Sequence, residues 1–229
     1  PGIHPLDPKD WLIRDAAFAG QMALRDDLLQ NRRADVHVLD DGARDAAGEA
    51  LHQILATLAN DQGYEIGPSH VRRPDGVRVA LDRAAPLATA ARLVQEDLCL
   101  LQKIGGEHVL TGAVVCFPAS WTLAEKFMRP LGYIHGPVSA YDANMAKRVQ
   151  RLFDLIRVDQ PLWRSNFLRY ATPDLFAPRS EVQARRIDTA GLPYLRAERQ
   201  CLLKLPQTQA VVFSIHTYVV RAGDDAASP

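Results

Sequence analysis

The segment FPASWTLAEKFMRPLGYIHGPV, residues 117–138, brings Lys126, Arg129, Tyr133 and His135 into a short span. Most histidines are structural groups bonded to a backbone carbonyl, and His135 alone reads that way first. With cations beside it, the ring also has what a haem requires: an axial nitrogen for iron and positive groups for two propionates. The spacing does not choose between these readings. A second run, LRAERQCLLKLP, is an unusual strand. Alternation puts Arg196, Glu198 and Gln200 on one face, and Leu195, Ala197, Arg199, Cys201 and Leu203 on the other. Facing solvent, the polar side is an inert charge ladder. Facing a cavity, Glu198 beside Arg196 suits an ammonium ligand or a proton relay, because a buried carboxylate must be paired. In WRSNF, residues 163–167, Arg164 and Asn166 alternate with Trp163, Ser165 and Phe167. Arg164 is either a rim cation stacked on tryptophan or a bidentate carboxylate binder.

Other chemistries find little support. There is no HxxxH or HExxH pair, no P-loop, no GxGxxG and no GxSxG; Ser120 lacks the glycines of a nucleophile elbow. Cys99, Cys116 and Cys201 are widely spaced in apolar stretches. They read as reduced, buried small hydrophobes, not as an iron–sulfur or zinc set.

The elements that must position these residues are legible from period and punctuation. Residues 1–60 read as helical, with Asp15 as a cap before Ala16 and a second amphipathic helix over 43–61 carrying Leu51, Ile54, Leu55 and Leu58. His52 falls off that stripe. HVRRPDGVRVAL is a hairpin about Pro-Asp-Gly, and PLATAARLVQ a short helix. EDLCLLQKI and HVLTGAVVCFPASW form a second hairpin about GGE. Thr122 caps a short helix, and AYDANMAKRVQRLFDLI is a longer one. PLWRSNFLRYA, LRAERQCLLKLP and QAVVFSIHTYVV are strands, the last two joined by PQTQ. The order predicts an α+β fold in which strands meet through short turns and helices cover one face of a curved antiparallel sheet, with a cavity between.

The chain has 229 residues, 47% hydrophobic, and its 27 basic and 27 acidic residues cancel. Balanced charge argues against nucleic acid as the main partner. No apolar run spans a bilayer, and no secretory leader is apparent, so neither membrane nor export is expected and a cytoplasmic location is. The divisions expected are an N-terminal helical extension (1–62), a main domain (63–221) and a frayed tail (222–229).

Taken in order, PLDPKDWL, LVQEDLCLL, CFPASW, the K-x-x-R-P-L-x-x-I-H-x-P-V run, WRSNF, LRAERQ-x-L-x-x-LP and AVVFSIHTY resemble the haem-dependent oxidative N-demethylases, in their α subunit, over nearly the whole chain. The resemblance implies a PAS-like haem-binding fold with helical N-terminal additions. It implies oxygen-dependent demethylation of a small secondary amine such as dimethylamine. Haem b would sit in this chain, while NADPH, FMN and a 2Fe-2S cluster would belong to separate reductase subunits. On this reading His135 is the proximal iron ligand. Glu198, with Arg196 or Arg199, forms the polar distal site. Lys126, Arg129 and Arg164 serve the propionates, and Tyr133 and Asn166 line the pocket. The alternative is a haem PAS protein that senses a gas or redox state without turnover; no heptad signalling helix follows the last strand.

Overall fold

The computed structural model describes residues 2–135, 143–183 and 191–223, with the side chains of His135 and residues 143–146 outside that description. In chain order the elements are β1 (His4–Pro5), α1 (Phe18–Asn31), α2 (Arg33–Val36), β2 (His37–Leu39), α3 (Arg44–Leu58), β3 (Glu65–Ile66), β4 (His70–Arg72), β5 (Arg78–Ala80), α4 (Pro86–Ala91), β6 (Asp97–Ile104), β7 (Glu107–Val114), α5 (Leu123–Lys126), α6 (Leu131–His135), α7 (Ala143–Leu155), β8 (Leu162–Tyr170), β9 (Tyr194–Lys204) and β10 (Val211–Arg221). The fold is α+β. Seven strands form one antiparallel sheet in the order β1-β8-β9-β10-β6-β7-β2, and β3-β4-β5 form a small second sheet.

The expected hairpins are present. Ile104 pairs with Glu107 across Gly105-Gly106, and Gly105 sits at φ +63°, where a side chain would strain the turn. Farther along β7, Gly112 lets β2 approach closely: a Cβ there would lie 2.7 Å from Leu39 Cδ1.

Side-chain alternation divides the large sheet into two buried faces. Leu98, Leu100, Val114, Cys201 and Val212 join the core formed with α1 and α3. Cys99, Leu101, Ala113, Leu202 and Val211 join a second core with Leu123, Leu131, Phe153 and Ile156 from the α5–α7 region. Helices thus cover both faces, where the sequence pattern suggested one. Both outer edges also differ from expectation. The N-terminal region is not wholly helical: β1 pairs with β8 and β2 pairs with β7, covering backbone groups that a bare edge would leave unpaired.

Two further departures have local causes. The strand expected to run on to Trp121 stops at Val114. Beyond it, the amides of Cys116 and Phe117 donate to the two carboxylate oxygens of Asp97 (2.8 and 2.9 Å) rather than to a neighbouring strand. The first long helix begins only at Phe18, because Trp11–Asp15 docks on the sheet. Trp11 is buried and its indole donates to Ser214 Oγ (3.0 Å), and Ile13 N donates to Glu96 Oε1 (2.9 Å). The first three residues of the expected helix over 140–156 and the tail from 224 lie outside the described residues.

Candidate functional site

The side chains of Arg196, Glu198 and Gln200 fall on the same face of β9 as Leu202, which packs in the core shared with α5–α7. The charge ladder is therefore not solvated. Arg196 is 2% and Glu198 6% exposed. Burial of this pair is compensated by contacts. Arg196 Nε donates to Glu198 Oε1 (3.3 Å), and its terminal nitrogens donate to the carbonyls of Leu175 (3.1 Å) and Phe117. Its guanidinium lies 5.7 Å from the Tyr170 ring centroid. Gln200 Nε2 donates to Glu198 Oε2 (3.0 Å). The carboxylate thus receives two of the roughly four hydrogen bonds it can accept.

The neighbouring strands complete the face. Residues directly opposite in an antiparallel pair point to the same side. On β8, Asn166 lies opposite Glu198 and Arg164 opposite Gln200. On β10, Thr217 lies opposite Glu198 and Ile215 opposite Gln200. Arg164 Nε and Thr217 Oγ1 are both buried with no hydrogen-bond partner. Two unsatisfied polar atoms thus lie on the same side of the sheet as Glu198, one on each neighbouring strand. Burial without a partner costs about 1–3 kcal/mol per group, so such atoms point to a species that supplies one.

The helix α6, which ends at His135, packs over this same face: Leu131 and Ile134 belong to its core. The backbone of His135 is described but its ring is not, so its assignment as ligand rests on position alone. Around it, Arg129 lies 4.9 Å from the centroid of the Tyr133 ring, and Tyr133 is 45% exposed. Among the described residues no carboxylate pairs with Arg129 or Arg164. Lys126 is already engaged. It is buried, donates to the Ile134 carbonyl (3.0 Å) and pairs with Glu181. Glu125 accepts from Thr122 and from Ser180 Oγ (2.5 Å), so the 180–181 turn is clamped to α5. Thr122 precedes the helix as expected, but its hydroxyl bonds this carboxylate rather than a backbone amide.

Arg199 does not join the group. It occupies the opposite face, as the period of two requires, and donates to the carbonyls of Trp11 (3.2 Å) and Asp10 (2.7 Å) with its guanidinium 5.4 Å from the Trp163 ring centroid. It fastens the N-terminal segment to the sheet.

That opposite face carries a second polar cluster, whose connectivity sequence reasoning missed. His216 lies between Glu96 Oε1 (3.1 Å) and Asp15 Oδ2 (3.2 Å). Burial opposes its charge, but the bonds to Glu96 and Asp15 outweigh that and raise its pKa. Burial likewise pushes Asp15 up, yet bonds from Gln95, His216 and the Ala17 amide leave it lowered. The side chain expected to cap a helix at Ala16 accepts from the Ala17 amide (2.9 Å) in the turn before α1 and also knits this latch together. Thr217 was also missed. Its alternation with His216 was readable, but only the three-dimensional neighbours show that its hydroxyl lacks a partner.

The cysteines are buried, and Cys116 and Cys201 are pushed up to about 12 and about 11 by burial, so neither is a ready thiolate. Among the described residues no group of three or more His, Cys, Asp or Glu could hold a metal ion, and no helix is long and apolar enough to cross a membrane. A single axial histidine needs no such group. A family model described as haem-dependent oxidative N-demethylase, alpha subunit-like, matches residues 2–224.

Proposed function

We propose a function from one premise: the chain belongs to the haem-dependent oxidative N-demethylase, alpha subunit-like family. On this reading the five long strands, ordered β8-β9-β10-β6-β7, are a PAS-like sheet, and haem b would be held against the face shared by α6 and Glu198. The residues present suit that cofactor. His135 ends a helix over this face, Arg129 and Arg164 have no carboxylate partner among the described residues, and the buried Arg164 Nε is unsatisfied. His135 would hold the iron, and Arg129 and Arg164 would hold the propionates. Lys126, spent on Glu181, would position α6 instead. The bound cofactor supplies oxygen activation.

The observation that carries the substrate reading is the buried Glu198 carboxylate, fixed by Arg196 and Gln200 with capacity to accept more hydrogen bonds. With oxygen lone pairs left over beyond Arg196 and Gln200, it binds the ammonium form of a small secondary amine such as dimethylamine and fixes one N-methyl group in place. Tyr170 lies against Arg196, and Asn166 lies opposite Glu198 on the same face. Overall the amine, O2, two electrons and two protons give the demethylated amine, formaldehyde and water; one oxygen atom ends in formaldehyde and the other in water. The electrons would come from NADPH through separate flavin (FMN) and 2Fe-2S reductase subunits.

The test uses the haem-loaded protein. Glu198→Gln is expected to keep its haem but lose the spectral change that dimethylamine causes in the wild type. A dimethylamine titration that matches the wild type would remove Glu198 from the substrate site. A wild type that binds haem but ignores every small amine would favour a sensor without turnover.

A further inference from the structure

Thr217 lies directly opposite Glu198 on β10, with its side chain on the same face and fully buried, and its Oγ1 has no hydrogen-bond partner. Directly opposed residues hold their Cβ atoms about 4.5–5.5 Å apart, so one small group can touch both side chains. The backbone at this position is satisfied: Gln21 Nε2 donates to the Thr217 carbonyl (3.0 Å) from the other side of the sheet. The unsatisfied hydroxyl is thus not a by-product of a disordered strand. A valine would fill the same volume and avoid the cost of a buried, unpaired hydroxyl.

A carboxylate accepts only, whereas a hydroxyl accepts twice and donates once. A secondary ammonium carries two N–H donors on one nitrogen, and a tertiary ammonium carries one. Glu198 takes the first donor through charge. We propose that Thr217 Oγ1 takes the second, and so selects ammonium ions with two or more N–H groups over tertiary ammonium ions. This rests on the reading of Glu198 as the ammonium site. The discrimination has the favourable direction. A site built to pair a donor rejects an analogue that lacks it, because the buried polar atom is then left without a partner.

The test is calorimetric binding of dimethylammonium and trimethylammonium chloride to the haem-loaded wild type, Thr217→Val, Thr217→Ser and Glu198→Gln. The wild type is expected to favour dimethylammonium. Thr217→Val should lose about tenfold or more in affinity for dimethylammonium, the value of one hydrogen bond to a charged group, while trimethylammonium binding changes little. Thr217→Ser should restore the preference. Thr217→Ala reads the same loss if the valine variant does not fold. If Thr217→Val leaves the ratio of the two affinities as in the wild type while Glu198→Gln weakens both, the hydroxyl serves some other partner, such as a water, and the selectivity assignment is wrong. If Glu198→Gln binds both amines as the wild type does, the ammonium site itself is misplaced and the Thr217 assignment falls with it.

Discussion

Arg196 and Glu198 depend on each other more than on anything else near them. Each is buried, and removing one partner leaves the other charge uncompensated, a loss of about 3–5 kcal/mol for pairs of this kind. Arg196→Met is expected to destabilise the protein by about that much, since it also frees the carbonyls of Phe117 and Leu175. The double variant Arg196→Met, Glu198→Leu should recover part of the loss. Urea unfolding of wild type, single and double variants checks this; an Arg196→Met protein as stable as the wild type would show that the pair is not buried in solution. At this scale the sequence was informative about type and face. Alternation placed Arg196, Glu198 and Gln200 together and Arg199 opposite. It could not say which face was covered, because both sides of β9 mix polar and apolar residues. Thr217 escaped notice because threonine is ordinary in strands; only its missing partner makes it distinctive.

Among the elements, the segment from Trp11 to Asp15 is held by side chains rather than by regular structure. Its titratable contacts are Asp15 and Glu96 on either side of His216, with the Tyr218 ring tilted at 53° to the imidazole and 4.6 Å from it between centroids. The His216 pKa is raised in the folded protein. Its contribution is therefore complete below the unfolded value of about 6.5 and is lost as pH rises through the higher folded value. Asp15 is lowered, so its contribution is present above about pH 3.9 and fades as pH falls through its folded value. The melting temperature of the wild type is expected to fall from pH 6.5 towards pH 9 by more than that of His216→Asn. Parallel profiles over that range would show that His216 does not carry charge in the latch. The pattern PLDPKDWLIRD reads as helix from its punctuation and spacing, but tertiary contacts decide otherwise: an indole with a buried acceptor at Ser214 outweighs local propensity.

The whole molecule is a sheet packed on both faces, with the N-terminal region closing both edges and one core. The α+β class and the five long strands were legible because the strand-forming runs are long and β6–β7 and β9–β10 join through short glycine-bearing or polar turns. The edge strands β1 and β2 were not, since strands of two and three residues carry no period. Helices on both faces were likewise hidden: alternation shows that a strand has two sides, not what covers them. The architecture gives the family assignment its physical content, because it places the helix ending at His135 and the Glu198 carboxylate on one face. The most direct test of that claim is haem stoichiometry, measured by pyridine haemochrome and by oxidised and reduced absorption spectra on wild type and His135→Ala after expression with ample haem precursor. About one haem per chain is expected in the wild type, and a folded His135→Ala protein without stoichiometric haem. A variant that loads haem as the wild type does, or a wild type that stays colourless even with added hemin, would contradict it.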